Sequence, residues 1–279
     1  MKIKPIIGAH VSVAGGLYKC FENAARIGAS AVQIFGASPR AWRTKQPTPA
    51  DIEKFNQARS VSGVSHVFLH AAYLVNLATD NDELYEKSIT NLSDHLAIAT
   101  AIKADGLIFH IGSGENKQKV VSGIKQVLEK TAGETPLIIE NSAAGGKKVG
   151  ATPEEIGEII KAVGSSRVKM CLDTAHIFEA GEIEEYSPAR IKKLFDRIEA
   201  SIGIKNLVAL HLNDSKTPCG SHHDRHENIA EGYIGRRGFE NLAKEKRAYG
   251  AVWLLEVPGF DNQGPDKKNI DRVKNIIGK

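Results

Sequence analysis

The stretch LHLNDSKTPCGSHHDRH, residues 210–226, concentrates side chains that bind metal ions. It contains four histidines and two aspartates, and it has almost no apolar residue after Leu212. A strand or helix that buries one face needs regularly spaced apolar residues, so we expect a polar loop here. Imidazole and carboxylate groups gathered in one loop suit a divalent metal ion.

The same residue types end a series of short apolar runs along the chain. There are eight such runs: PIIGAH, AVQIF, HVFLH, GLIFH, PLIIE, VKMCLD, LVALH and AVWLLE. Near-continuous apolar runs of this length are typical of parallel strands buried on both faces. The last six runs end in His70, His110, Glu140, Asp173, His211 and Glu256.

Amphipathic segments with helix-start signals separate these runs. The pairs Thr48-Pro49, Thr152-Pro153 and Ser187-Pro188 each place an N-cap residue before a proline at the first helical position. Eight strand–helix alternations predict an α/β fold, a single (β/α)8 TIM barrel domain spanning residues 1–279. An open doubly wound sheet is the main alternative, but AHVSVAGG after the first strand is not its G-x-G-x-x-G phosphate loop.

In a (β/α)8 barrel the active site lies at the carboxyl ends of the strands, so the six strand-end residues should meet at one mouth. His176, Asp224 and His226 follow the sixth and seventh strands closely enough to join them. The resulting five histidines and four carboxylates need a shared countercharge, and they are too many for one zinc ion. They fit two or three metals. The other histidines are predicted to be supporting, structural or solvated: His10; His66 and His95; His222 and His223.

Composition restricts the class of protein. The chain has 279 residues, 42% of them hydrophobic, a formal charge of +4 and a pI near 8.8. These values are typical of a globular protein and permit a polyanionic partner. The three cysteines are too far apart for a disulfide framework or a thiolate zinc site. Neither a signal peptide nor a membrane span of about 18 to 20 apolar residues is present, so we expect a cytoplasmic protein.

Basic residues cluster after the predicted strand ends, with Trp42, Tyr73 and Tyr233 among them. The basic residues are Arg40, Arg43, Lys45, Lys147, Lys148, Lys216, Arg225, Arg236 and Arg237. A basic rim with planar side chains suits contact with a phosphate backbone and wedging at a base step.

Long motifs across the whole chain resemble those of the endonuclease IV family of apurinic/apyrimidinic (AP) endonucleases. They include IGAHVSVAGG, FHIGSG, IIENSA, CLDTAHIFEAG, LHLNDSK, DRHENI and LLEVPGF. The resemblance implies a TIM barrel with three Zn²⁺ per chain, with Mn²⁺ or Fe²⁺ acceptable at one position. It implies a monomer that acts on damaged double-stranded DNA, without a membrane, near the nucleoid. Two segments depart from the family pattern: FGASPR before Arg40, and AEG at Ala230.

By motif, the resemblance assigns a role to each site residue. His70, His110 and Glu140 would hold one zinc; Glu140, Asp173, His211 and Glu256 a second; and His176, Asp224 and His226 a third. Glu140 would bridge the first two metals, and Glu140 and Glu256 would be catalytic together with a metal-bound hydroxide. Arg40 and Tyr73 would enter the damaged DNA, and Arg225 would hold a phosphate oxygen.

The implied activity is hydrolysis of the phosphodiester 5′ to an abasic site in base excision repair. The products would be a 3′-hydroxyl and a 5′-deoxyribose phosphate, and the enzyme would also clean blocked 3′ ends. Two other functions remain open from the residues themselves. One is a sugar isomerase or epimerase on the same barrel with one or two metals. The other is a DNA-binding protein whose metals are structural.

Overall fold

The computed structural model of the chain describes residues 4–278. Residues 1–3 and 279 of the predicted domain lie outside this range. Eight parallel strands close a barrel in the order β1-β10-β7-β6-β5-β4-β3-β2. This confirms the predicted TIM barrel, and each barrel strand lies within one of the predicted apolar runs. The strands are β1 Ile7–His10, β2 Ala31–Phe35, β3 His66–His70, β4 Gly106–Phe109, β5 Leu137–Glu140, β6 Val168–Asp173, β7 Leu207–His211 and β10 Val252–Leu255.

Helices connect the strands, and three of them begin at the prolines that the sequence predicts. Thr48 caps α2 with a reciprocal bond to Asp51, and the Thr152 side chain accepts a hydrogen bond from the backbone N–H of Glu155 in α5. Ser187 is the N-cap of α7 but makes no side-chain capping bond. The helices are α1 Lys19–Ile27, α2 Pro49–Ser62, α3 Asp82–Ala101, α4 Lys117–Lys130, α5 Pro153–Val163, α6 Thr174–Glu179, α7 Pro188–Ile202, α8 Gly235–Leu242 and α9 Lys267–Ile277.

The core has two layers, one on each face of the barrel wall. The larger layer packs the outward strand faces against the helices, as with Leu69 and Ile98. A smaller cluster contains residues from seven different strands. These residues contact one another, which is possible only inside the barrel. This inner layer consists of Ala31, Phe68, Ile108, Ile138, Cys171, Ala209, Val252 and Leu254.

The polar stretch after β7 contains a short two-stranded ladder. Strand β8 (Asp214–Ser215) pairs antiparallel with β9 (His226–Glu227) and thereby closes the segment between them into a loop. The buried carboxylate of Asp214 accepts hydrogen bonds from the backbone N–H groups of Gly232, Ile234 and Gly235. These bonds fix the start of α8 at Gly235, where the irregular segment ends. No helix among residues 4–278 is long and apolar enough to cross a membrane.

Candidate metal centre

Strand alternation brings one residue per strand to the mouth of the barrel. Residues two apart on a strand face the same side, and Phe68, Ile138 and Cys171 belong to the inner layer. The residues two positions further along each strand therefore face inward one level above that layer. Over all eight strands they form one ring: His10, Gln33, His70, His110, Glu140, Asp173, His211 and Glu256.

The carboxylate of Glu140 lies at the centre of this ring and turns its two oxygens towards different partners. Oε2 lies 3.2 Å from His70 Nε2 and 3.4 Å from His110 Nε2. Oε1 lies 3.0 Å from His211 Nδ1 and 3.2 Å from His176 Nδ1. Glu140 thus belongs to one donor group with His70 and His110, and to a second with Asp173, His211 and Glu256.

In the second group, three carboxylates surround one imidazole nitrogen. His211 Nδ1 lies 3.1 Å from Glu256 Oε2 and 3.8 Å from Asp173 Oδ2, in addition to its contact with Glu140. The other Asp173 oxygen, Oδ1, caps α6 by accepting from the backbone N–H groups of Ala175 and His176. Its Oδ2 therefore remains turned towards the donor group.

The third group joins α6 to the polar loop. His176 Nε2 lies 3.1 Å from Asp224 Oδ1 and 3.4 Å from His226 Nε2. His226 belongs to β9, and the β8–β9 ladder holds it next to α6. The structure thus brings all nine predicted donors to one mouth, although no periodic pattern in the sequence fixes Asp224 or His226.

In two of the histidines, one ring nitrogen is hydrogen-bonded to a backbone carbonyl, and the other ring nitrogen faces the donor group. A carbonyl oxygen can only accept, so His70 Nδ1 donates to the Ala71 oxygen at 2.8 Å. In the same way His176 Nδ1 donates to the Asn141 oxygen at 3.0 Å. In the neutral form of either ring the lone pair therefore lies on Nε2, the nitrogen that points into its donor group. Partners of this kind orient histidines for metal binding.

Charge pairing in the cluster shifts its pKa values in opposite directions. Burial alone would raise the pKa of the Glu140 carboxyl, but His110 and His211 hold it well below its ordinary value. Burial alone would lower the pKa of His176, but Asp173 and Asp224 raise it well above 6.5. Burial lowers the pKa of His110 to about 4. The carboxylates therefore stay ionised and depend on nearby positive charge.

This donor set fits divalent ions. Four buried or half-buried carboxylates lie among the imidazoles, and protons on His176 and His211 are the positive charge available there from the chain itself. A divalent cation can replace those protons and neutralise more charge. Imidazole with carboxylate is a common donor combination for zinc, and manganese and iron also accept it.

An open cavity of about 990 Å³ lies above the donors. His70, His110, His176, Asp224, His226 and Glu256 line it, while Glu140, Asp173 and His211 are buried. Tyr73 and Arg225 also line the cavity. Arg40 is exposed next to the lining residues Ser38 and Pro39, and the Pro39 carbonyl accepts a hydrogen bond from the Tyr73 backbone N–H.

The predicted basic rim is partly paired with acidic side chains. Lys147 lies 2.6 Å from Glu115, and Lys148 lies 3.5 Å from Asp224. Arg225 remains exposed and donates through one guanidinium nitrogen to the Asp224 carbonyl at 2.8 Å. Among the ion pairs within residues 4–278, Arg40 and Arg225 have no acidic partner.

Sequence reasoning missed several polar residues that contact this centre, among them Asn213, which donates to Asp173 Oδ2 at 2.7 Å, and the two that follow. Gln33 is fully buried and bonds both Glu256 and His211. Glu179 is buried on α6, accepts from Ser215 Oγ at 2.7 Å and from the Arg225 backbone N–H at 3.2 Å, and anchors the loop. Gln33 could have been found as the one polar residue inside the run AVQIF. His10, predicted to support the ligands, lies 3.3 Å from Glu256.

Comparisons with known proteins agree with this geometry. The sequence matches the profile of the family described as xylose isomerase-like TIM barrel over residues 21–276. It is 34% identical to endonuclease 4 of one Thermus thermophilus strain over 266 residues, which cover 94% of each chain. The crystal structure of endonuclease IV from a second strain of that species superposes with a TM-score of 0.89 at 33% identity, covering 98% of this chain and 99% of that one.

A more distant neighbour shares the fold alone. D-psicose 3-epimerase of Clostridium cellulolyticum superposes with a TM-score of 0.62 at 16% identity, covering 97% of this chain and 95% of that one. The resemblance to the endonucleases is therefore much closer in both sequence and structure. The chain belongs to the endonuclease IV family, within the xylose isomerase-like TIM barrels.

Proposed function

We propose that this protein is a DNA-repair AP endonuclease that hydrolyses the phosphodiester 5′ to an abasic site. The products would be a 3′-hydroxyl and a 5′-deoxyribose phosphate, and the same centre would clean blocked 3′ ends. The observation that carries the proposal is the convergence of nine histidine and carboxylate donors beneath one open cavity. The endonuclease 4 names of its relatives support the substrate class.

Three divalent ions, mainly zinc, would be bound by the three donor groups. The first ion would be bound by His70, His110 and Glu140. The second would be bound by the same Glu140 together with Asp173, His211 and Glu256. His176, Asp224 and His226 would hold the third. Bound zinc supplies Lewis-acid chemistry: it makes water a better nucleophile near neutral pH and offsets charge on the phosphate.

The chain's own residues would position the DNA and the attacking water. Arg225 uses one guanidinium nitrogen on the Asp224 carbonyl, and its other N–H donors can hold phosphate oxygens. Glu256 lines the cavity, and its carboxylate can accept a hydrogen bond from the water. Tyr73 and Arg40 would fill the space left by the missing base, where little stacking energy has to be overcome.

Incision of a defined duplex tests the proposal. A labelled duplex with one tetrahydrofuran abasic analogue cannot be cleaved by β-elimination, so a cut at this position requires hydrolysis. We expect a product whose 3′-hydroxyl a polymerase can extend. Chelator should abolish the cut and zinc should restore it. An intact duplex at saturating, metal-loaded protein would contradict the proposal.

The same assay separates the two alternatives. A DNA-binding protein with structural metals would retain the duplex in a gel-shift experiment without cutting it. A sugar epimerase would neither bind nor cut it. Elemental analysis of protein purified without chelator adds a second criterion, because the proposal requires close to three divalent ions per chain. A reproducible value of one or fewer would remove the three-metal assignment and favour the epimerase.

A further inference from the structure

Gln33 connects two donors of the second group from across the barrel. It lies in the middle of β2, and its side chain is fully buried. Its Nε2 donates to Glu256 Oε1 at 2.5 Å, and its Oε1 lies 2.7 Å from His211 Nε2. The Gln33 amide therefore extends from β2 into the barrel interior, just above the inner apolar layer. There it meets His211 at the end of β7 and Glu256 directly after β10.

The orientation of this amide follows from its partners. An ionised carboxylate can only accept hydrogen bonds, so the NH₂ group must face Glu256. Rotation of the amide by 180° would place its oxygen against the carboxylate. The amide oxygen therefore faces His211, and His211 Nε2 must carry a proton in order to donate to it.

This arrangement selects one tautomer of His211. When a cation replaces one proton of His211, the neutral imidazole keeps a single N–H, and with that proton held on Nε2 the lone pair lies on Nδ1. Nδ1 is the nitrogen that lies 3.0 Å from Glu140 and 3.1 Å from Glu256. Without an acceptor at Nε2, these carboxylates would favour the tautomer with its proton on Nδ1, and that tautomer cannot bind a cation through Nδ1.

The same amide also orients Glu256. Because Oε1 accepts from Gln33, the other oxygen, Oε2, remains turned towards His211. The Gln33 nitrogen also lies 2.9 Å from His10 Nδ1, which gives its second hydrogen an acceptor. Gln33 therefore satisfies both of its amide hydrogens and its oxygen within the ring at the mouth.

We propose that Gln33 is a positioning residue that presents His211 Nδ1 and Glu256 Oε2 together to one divalent ion. This inference rests on the proposed function, because it assumes that the second donor group binds metal. This role concerns the second donor group alone. Among residues 4–278, Gln33 makes no hydrogen bond to His70 or His110 and none to the third donor group. Removing it should therefore weaken one ion and spare the other two.

Competition of the holoenzyme's zinc with a chromophoric chelator tests this inference. Gln33→Met keeps the length of the side chain but removes both polar ends. We expect the affinity for one of three zinc ions to fall by about 10- to 100-fold, the range for residues that support ligands, with the other two unchanged. Asn91→Leu is the matched control: Asn91 is an equally buried amide that bonds the Ala41 and Trp42 carbonyls, and its loss should leave all three affinities unchanged.

The outcomes separate this inference from the proposed function. Unchanged zinc affinity in Gln33→Met, or equal weakening of all three ions with a lower melting temperature, would overturn the positioning role. A wild-type protein that binds no second ion would instead refute the proposed metal assignment. Two-bond ¹H–¹⁵N spectra of the zinc-loaded wild type need no variant. They should show His211 protonated at Nε2, and a proton at Nδ1 would overturn the inference.

Discussion

The ring of Tyr73 meets that of Phe35 edge-on, with ring centroids 5.4 Å apart and planes at 80°. Phe35 ends β2 and is partly buried, so it supports a tyrosine that is itself 62% exposed at the cavity. The Tyr73 backbone N–H also donates to the Pro39 carbonyl, next to Arg40. The two side chains assigned to DNA insertion therefore lie on loops that are bonded to each other.

Tyr73→Ala and Arg40→Ala should each weaken incision of abasic DNA without loss of metal. Stacking or wedging by such a side chain contributes roughly 1 to 3 kcal/mol, or about 5- to 150-fold in affinity. The measurement is the incision rate at sub-saturating DNA, with metal content determined on the same preparation. Val61→Ala is the control, because Val61 is 86% exposed at the end of α2, next to the start of β3 and thus at the opposite end of the barrel from the cavity. Normal incision by both test variants would disprove the assignment.

Ala230 lies at the AEG departure from the family pattern and adopts a left-handed backbone with φ of 68°. An L-residue with a Cβ pays roughly 1 to 2 kcal/mol for this conformation, which glycine adopts freely. Ala230→Gly should therefore stabilise the fold by about 0.5 to 1 kcal/mol, a rise of roughly 2 °C in melting temperature for a chain of this size.

Thermal unfolding of the same change at a helical position provides the control for Ala230→Gly. Ala200 is exposed within α7, where glycine should destabilise by about 0.5 to 1 kcal/mol. The two substitutions are thus expected to have opposite signs. A fall in melting temperature for Ala230→Gly similar to that for Ala200→Gly would show that the left-handed conformation carries no strain.

His95 should make the stability of the fold sensitive to acid. It is fully buried on α3, neither ring nitrogen has a hydrogen-bond partner within residues 4–278, and burial lowers its pKa to about 4. In the unfolded chain the pKa of this imidazole is near 6.5. Between pH 6.5 and 4 the unfolded chain therefore binds a proton that the folded chain does not bind. Stability is therefore lost as pH falls from 6.5 towards 4, by up to about 3 kcal/mol.

Denaturant unfolding of wild type and His95→Leu across this pH range measures the effect. The variant has no imidazole to protonate, so its stability should fall less steeply, and the difference between the two curves should grow below pH 6.5. Comparing the two proteins removes the contribution of the other titrating groups. Parallel curves would mean that His95 does not cause the acid sensitivity.

The sequence predicted the barrel well because its strands are buried on both faces. Runs such as HVFLH and VKMCLD are mostly apolar and stop at a polar residue, so their ends mark the mouth directly. His176 was within reach because it follows Asp173 by less than one helical turn. Asp224 and His226 were predicted from the residue types of the polar loop, but their contact with α6 depends on the β8–β9 ladder, which no local pattern indicates.

Two residues of the centre were given no role from the sequence, although Gln33 is the one polar residue of the run AVQIF. Gln33 was missed because an amide is a poor metal ligand, and its importance depends on partners nearly 180 residues or more away in sequence. Glu179 was missed because nothing in HIFEAG indicates that its carboxylate would accept the Arg225 backbone N–H. Both contacts depend on how the barrel closes rather than on local pattern.

Glu140→Gln tests the central claim, that one carboxylate joins two metal sites in the hydrolysis of DNA. Glu140 presents Oε2 to His70 and His110, and Oε1 to His211. An amide of the same shape has one neutral acceptor oxygen, and its NH₂ would repel a cation. The fold should be retained, because side-chain volume hardly changes, and binding to abasic duplex should persist through Arg40, Tyr73 and Arg225.

The deciding measurement is the single-turnover incision rate of Glu140→Gln on the tetrahydrofuran duplex, with circular dichroism and a gel-shift assay on the same preparation. We predict a loss of at least ~10³-fold, equivalent to about 4 kcal/mol of barrier, in a folded protein that still binds the DNA. A folded, DNA-binding variant that cuts within tenfold of the wild-type rate would contradict the claim.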